Sequence, residues 1–210
     1  MTDNQCTIKS VVSVNGTGLH TGQHGTISFH PAPVNHGIKI RRIDLEGQPV
    51  IDAVVANVVD TARGTTLQQN GARVYTIEHV LAACTGLGVD NLMVELDMDE
   101  IPIRDGSSHF FVKAIEKAGI QEQNAAREYI VIKKPIHYSN KEKGFELSIT
   151  PCDTFKVDVT IDYGTEVLGV QYAELHDIQK FKDEIAPCRT FVFLHELEYL
   201  LKINLSRVAI

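Results

Sequence analysis

The apolar positions of residues 9–14, 25–29, 38–43 and 51–59 are rich in Val and Ile, set among polar residues. Such runs predict strands, with Gly, Pro, Asn or Asp in the gaps marking the turns between them. The pattern changes at residues 76–85, where the apolar spacing predicts a helix. Residues 91–96, reading Asn-Leu-Met-Val-Glu-Leu, predict another strand. Asp105-Gly106 marks a turn, and Ser107 or Ser108 is placed to cap a second helix running to about Ala118. Phe110, Phe111, Ala114, Ile115 and Ala118 give that helix its apolar face, and Gly119 ends it.

The polar stretch Gln121-Glu122-Gln123-Asn124 is the best boundary candidate, dividing the chain into 1–124 and 125–210. Beyond it, strands are predicted over 129–133, 144–150 and 156–162, then short helices over 178–184 and 195–201. The second half thus opens with strands and closes with helices, without a closing strand. Leu205-Ser206-Arg207-Val208-Ala209-Ile210 would leave an apolar segment with nothing after it to cover it. The expectation is a truncated second domain, and the alternative is a frayed tail. The fold class expected is α+β.

At 210 residues the chain suffices for one sizeable domain or two small ones. Its 43% apolar and 22% charged content is that of an ordinary globular protein. A net charge of −7 argues against a nucleic-acid partner, yet leaves a small anionic substrate open. The start lacks a basic stretch followed by an apolar run, so no secretory leader is expected. No apolar run approaches membrane-spanning length. Cys6, Cys84, Cys152 and Cys188 form no Cys-x-x-Cys pair and read as reduced thiols, which points to the cytoplasm.

The first helix carries the chemistry. On a wheel of 3.6 residues per turn, Ile77, Val80, Leu81, Cys84 and Leu87 share the core side. Glu78, His79, Ala82, Ala83 and Gly86 take the remainder, where a solvated face would carry Lys, Gln or Arg. Small residues let a neighbouring element or a ligand come close. Glu78 and His79 lie about 100° apart on the helix, so they can flank an ion better than chelate it together. His79 could bind a metal while Glu78 reaches an attacking water as base. The structural alternative is a helix start where Glu78 favours the positive end of the dipole and His79 is a satisfied core histidine.

Gly16-Thr17-Gly18-Leu19-His20-Thr21-Gly22 is either a hairpin connection needing positive φ or a loop that brings backbone and His20 to a ligand. Arg63, in the hydroxyl-rich connection 60–67, either supports a carboxylate or is solvated. Thr190 could donate to a developing oxyanion or be an ordinary strand threonine. Histidines 24, 30, 36, 109, 137, 176 and 195 show no ligand-type spacing and read as surface or core residues.

Taken together, five segments in order resemble one family. They are the 16–22 loop, Tyr75-Thr76-Ile77-Glu78-His79-Val80-Leu81-Ala82-Ala83, Gly88-Val89-Asp90-Asn91, Glu100-Ile101-Pro102-Ile103-Arg104-Asp105-Gly106-Ser107 and Arg189-Thr190-Phe191. The family is that of the UDP-3-O-acyl-N-acetylglucosamine deacetylases, which carry out the committed step of lipid A synthesis in Gram-negative bacteria. The resemblance reaches to about Leu201; the family then continues through a glycine-containing turn into a strand, which residues 203–210 do not do.

The resemblance implies two similar domains, each a β-sheet layered with helices, with the active site between them. It implies a zinc ion held by three side chains, His79 being the first. The other two, a His and an Asp on one helix, are expected beyond Ile210, as is a histidine acting as general acid. It makes Glu78 the base and Thr190 the oxyanion donor. His20 and Arg63 fall beside the substrate, UDP-3-O-acyl-N-acetylglucosamine, and Leu19 and Phe191 along the path of its sugar and acyl chain. In some bacteria the enzyme is fused to an acyl-carrier-protein dehydratase. The alternative is a non-catalytic module that binds nucleotide sugar or acyl chains.

Overall fold

A computed structural model describes residues 3–202. The segment 205–210 and the side chain of His195, on both of which expectations were stated, lie outside the described residues.

In chain order the first half comprises β1 (Asn4–Ile8), β2 (Val12–Thr17), β3 (His24–Pro31), β4 (Ile38–Arg42), β5 (Val50–Asp52), β6 (Val58–Asp60), β7 (Thr66–Gln69), β8 (Ala72–Val74), α1 (Glu78–Leu87), β9 (Leu92–Leu96), α2 (His109–Ala118) and β10 (Ile120–Ala126). The second half comprises β11 (Ile136–Asn140), β12 (Phe145–Ile149), β13 (Val157–Asp162), β14 (Val170–Leu175), α3 (Phe181–Glu184) and α4 (Leu194–Lys202). The chain is therefore α+β.

The main sheet has the order β2-β3-β9-β4-β5. All its pairings are antiparallel except β4 with β9. Strand alternation sorts its residues by face. Ile27, Phe29, Ile40, Ile51, Leu92, Val94 and Leu96 point one way and are fully buried. Their neighbours point the other way and pair ionically, Lys39 with Asp52 at 2.9 Å and Arg41 with Glu95 at 3.0 Å. One face is core and one is solvated, as antiparallel sheets allow.

The helices α1 and α2 close the apolar face. Val80, Ala83 and Cys84 of the first and Phe111, Val112 and Ile115 of the second join the sheet residues in one cluster. The Phe29 and Phe111 rings meet edge to face, 6.3 Å between centroids. Phe111→Ala leaves a ring-sized void at the centre of this layer and is expected to cost about 3–5 kcal/mol, read as a lower midpoint in urea unfolding.

The polar stretch 121–124 is bound into the first half as part of β10, antiparallel to β1. Two of its side chains are bonded there: Glu122 accepts from Asn4 at 2.7 Å, and Gln123 donates to the Ala32 carbonyl and accepts from Asn91, each at 2.8 Å. Residues 127–135 follow without regular structure. The strand expected over 129–133 does not form, and Ile130 and Val131 lie exposed, because no neighbouring strand offers their backbone a partner.

The second half is built differently. β11 pairs only with β12, and β13 only with β14. In the first hairpin Ile136, Tyr138, Phe145, Leu147 and Ile149 share one face, and all are exposed. In the second, Val157, Val159 and Ile161 do the same. An apolar groove of about 440 Å³ separates this hairpin from α1, lined among others by Ala82, Thr85, Gly86, Val157 and Phe181.

Candidate active site

The helix α1 begins without a side-chain cap, and its first residue is Glu78. The residue two before it, Thr76, has φ 60°. A β-branched side chain rarely adopts that conformation, and such strain collects at functional sites. The turn brings Glu78 to the loop of residues 63–65. There the Thr65 amide donates to Glu78 Oε2 at 2.9 Å. No described residue bonds Glu78 Oε1.

His79 is half-buried and makes no hydrogen bond with any described residue. Burial pushes its pKa down, outweighing the upward pull of Glu78 and Asp105. The imidazole is thus neutral near pH 7, the form that ligates a metal. Asp105 lies close enough to act on His79 electrostatically. Burial opposes the Asp105 charge, but the hydroxyl and amide of Ser107 outweigh it and hold that carboxyl below its usual range.

Of the two neighbours expected at the small residues of α1, a packing element or a ligand, the structure shows the first. Ala83 is fully buried in the core. Gly86 is closed off by α3, since an added Cβ there would overlap the Phe181 ring. Ala83 thus packs in the core, and Gly86 lets the Phe181 ring come close at the edge of the apolar groove. In the first turn of α1, Glu78 and His79 are both half-buried.

Opposite this turn stands the loop between β2 and β3. Gly22, at φ 69°, is the one glycine of residues 16–22 that needs positive φ. Gly18 is there for close approach, because a Cβ would sit 2.5 Å from Glu100 Oε2. His20 Nε2 lies 3.4 Å from the Arg63 carbonyl, and its buried Nδ1 has no partner. Leu19 beside it is half-buried. Arg63 itself (φ 61°) sends its guanidinium to Glu196 of α4 at 2.9 Å, so it supports a carboxylate of the chain.

The Arg189-Thr190-Phe191 segment is tied to the same region by its backbone. The Thr190 amide donates to the Gly106 carbonyl at 2.8 Å, beside Asp105. Phe191 is exposed and packs with Tyr163 and Phe193, each ring 5.6 Å away. The structure therefore links His20 to the Arg63 carbonyl and Glu78 to the Thr65 amide two residues on, and tethers Thr190 to the turn at Gly106; no bond or ring contact ties Leu19, His79 or Phe191 to these groups among the described residues. Sequence reasoning passed over Thr65 and Glu100. The available signal was a single carboxylate placed among Ile, Pro and Ile at 100–103.

Histidine spacing also gave no hint of one cluster. Asp158 pairs across the ladder with Glu174, and His176 follows two residues on, so all three reach one side of a hairpin. Their ligand atoms lie within 4.8 Å of one another. The group is exposed and already bonded internally, His176 Nε2 to Asp158 at 2.8 Å. It shares no residue with the site around Glu78.

The sequence profile of the LpxC family, UDP-3-O-acyl N-acetylglycosamine deacetylase, matches residues 5–209. The chain belongs to this family. The LpxC/FabZ bifunctional enzyme of Bacteroides thetaiotaomicron is 45% identical over 203 residues, 97% of this chain but 44% of its own length. The Porphyromonas gingivalis LpxC/FabZ enzyme is 46% identical with the same two coverages. The UDP-3-O-acyl-N-acetylglucosamine deacetylase of Saccharophagus degradans is 45% identical over 206 residues, 97% of this chain and 67% of its own. Measured against its LpxC relatives, the chain thus spans from under half to about two thirds of their length. No described helix is long and apolar enough to cross a membrane.

Proposed function

We propose that the chain carries the water-activating part of a zinc-dependent deacetylase that removes the acetyl group from UDP-3-O-acyl-N-acetylglucosamine in lipid A biosynthesis. The observation that carries this reading is the start of α1. There Glu78 has one carboxylate oxygen fixed and one free, next to a neutral, half-buried His79 with no other partner. His79 fits a metal ligand by its protonation and its idle nitrogens. Among the described residues it belongs to no group of three able to hold an ion. The remaining ligands, and the histidine that protonates the leaving amine, are proposed to lie past Ile210, in the part that the relatives have in addition.

Bound there, zinc would supply a Lewis acid for the acetamide carbonyl and acidify the attacking water. Glu78 Oε1 accepts the proton that water gives up as its oxygen bonds the carbonyl carbon. The Thr65 amide keeps Glu78 aimed by occupying Oε2. Thr190 donates its hydroxyl to the oxygen on which charge develops, and Leu19 and Phe191 flank the sugar and acyl chain. The C–N bond then breaks, giving acetate and the free amine. His20 and Arg63 border the substrate, with Arg63 holding the wall of the site through Glu196.

We read the two halves, divided near 124 by the sequence and carried to about 127 by the β1–β10 pairing, as two similar α+β domains facing this site, the second incomplete. The uncovered hairpin faces support that reading. The bifunctional relatives support a longer parent protein with a dehydratase following, and the absence of paired cysteines fits a cytoplasmic place of work.

The test is acetate release from the UDP-sugar by this chain extended with its relatives' C-terminal segment. No release from a folded, zinc-loaded extended chain would sink the reading. In the same protein Thr190→Ala is expected to slow turnover on the order of 100-fold with zinc content unchanged; an unaltered rate removes Thr190 from its role.

A further inference from the structure

We infer that Glu100 is the positioning residue of this site, one buried carboxyl that locks the His20 loop to the turn entering α1. The inference rests on the deacetylase reading for what the arrangement serves.

Glu100 is wholly buried. No described cation pairs with it. Its two oxygens instead accept from groups on two separate segments. From the loop between β2 and β3 come the His20 amide, at 3.0 Å to Oε1 and 3.1 Å to Oε2, and the Thr21 amide and hydroxyl, at 2.8 and 2.9 Å to Oε2. From the turn before α1 comes the Thr76 hydroxyl, at 3.1 Å to Oε1. Burying a carboxylate is costly unless its lone pairs are filled, and here the filling requires both segments at once.

The backbone repeats the arrangement. Gly18 forms an isolated antiparallel bridge with Pro102, and Tyr75 an isolated parallel bridge with Glu100, so the backbone of residues 100–102 also touches both segments. A third link closes the circuit. His20 Nε2 reaches the Arg63 carbonyl, and two residues on, the Thr65 amide holds Glu78. His20 and Glu78 are thus joined twice, through Glu100 and Thr76 on one side and through residues 63–65 on the other. Gly18 is the residue that makes room for the carboxyl. Thr76 accepts its positive φ within the same bonding.

Two near-isosteric variants of the 210-residue chain test this, Thr76→Val and Glu100→Gln, followed by amide hydrogen exchange and by the 13C–1H resonance of the His20 ring. Thr76→Val removes one hydroxyl and touches no atom of the His20 loop. It is expected to speed exchange of the His20 and Thr21 amides at least about tenfold and to shift the His20 ring resonance, with the Phe29 and Val94 amides unchanged. Glu100→Gln is expected to do the same and to speed exchange at Thr65 as well. If Thr76→Val alters only residues 65 and 76–79, the two segments are not coupled and the inference fails. It also fails if all amides accelerate together, which marks a residue that merely stabilises the fold. Should Glu100→Gln not fold, Thr76→Val alone decides. None of these readouts needs turnover, so they stand or fall separately from the deacetylase reading.

Discussion

Joined to the segment by which the Saccharophagus degradans deacetylase extends beyond it, the chain is expected to release acetate from UDP-3-O-acyl-N-acetylglucosamine, and alone to do so at least about 10,000-fold more slowly. Two physical arguments lead there. The first is chemical: residues that act as one catalytic unit lose nearly everything when part of the unit is missing. On the proposed reading His79 would be one ligand of three, and metal affinity depends on ligand number and geometry. The second argument is structural. Isolated two-stranded hairpins are marginal in water and need a third strand or a helix on their apolar face. In β11–β12 and β13–β14 that face carries Ile136 at 50% exposure, Leu147 at 59% and Val159 at 43%. The added segment is expected to cover these residues, which a drop in binding of a hydrophobic dye would report alongside the gain in turnover. Equal rates from the short and joined chains would overturn the expectation.

In that joined chain, Glu78→Gln is expected to lower the deacetylation rate by about 100- to 10,000-fold, the usual range for loss of a general base. The amide keeps the size of the side chain and can still accept from Thr65 through its oxygen. What it loses is the capacity to take a proton. Zinc content by atomic absorption should stay at the unsubstituted level, whereas His79→Ala should lose metal and activity together. A Glu78→Gln protein that turns over normally removes Glu78 from its role and leaves His79 untouched. Loss of zinc in Glu78→Gln would instead assign Glu78 to the metal.

The first half was largely readable because its local signals agree with its packing. The alternation of Ile27 and Phe29, and of Leu92, Val94 and Leu96, announces a sheet with one buried face, and that face is what the helices cover. Glu78 and His79 stood out for a similar reason, as polar groups where a wheel offered no solvated neighbours. The failures have a common cause as well. Residues 129–133 have β-prone side chains, but a strand exists only if another strand is beside it, and propensity does not supply one. At Gly86 the sequence left open a ligand or a packing element, because it does not show Phe181 arriving from the second half. The bonding of Glu100 and the Asp158–Glu174–His176 group went unread for the same reason: each depends on a pairing between distant segments.

The β1–β10 pairing carries a practical corollary. Asn4 lies across from Ala126, and the Arg127 amide donates to the Asp3 carbonyl at 2.8 Å, so the first half starts and finishes at the same spot. Arg127 fastens that seam, its guanidinium gripping Asp90 and the Gly88 carbonyl at the foot of α1. A polypeptide whose ends meet can be re-cut. A short bridge from 127 to 3, with new termini at the exposed Glu46-Gly47 turn, would preserve every strand of the main sheet. The main sheet and the start of α1 could then be carried in rearranged chain order, provided that Leu175, Phe181 and Ala186, which complete the same core, go with them.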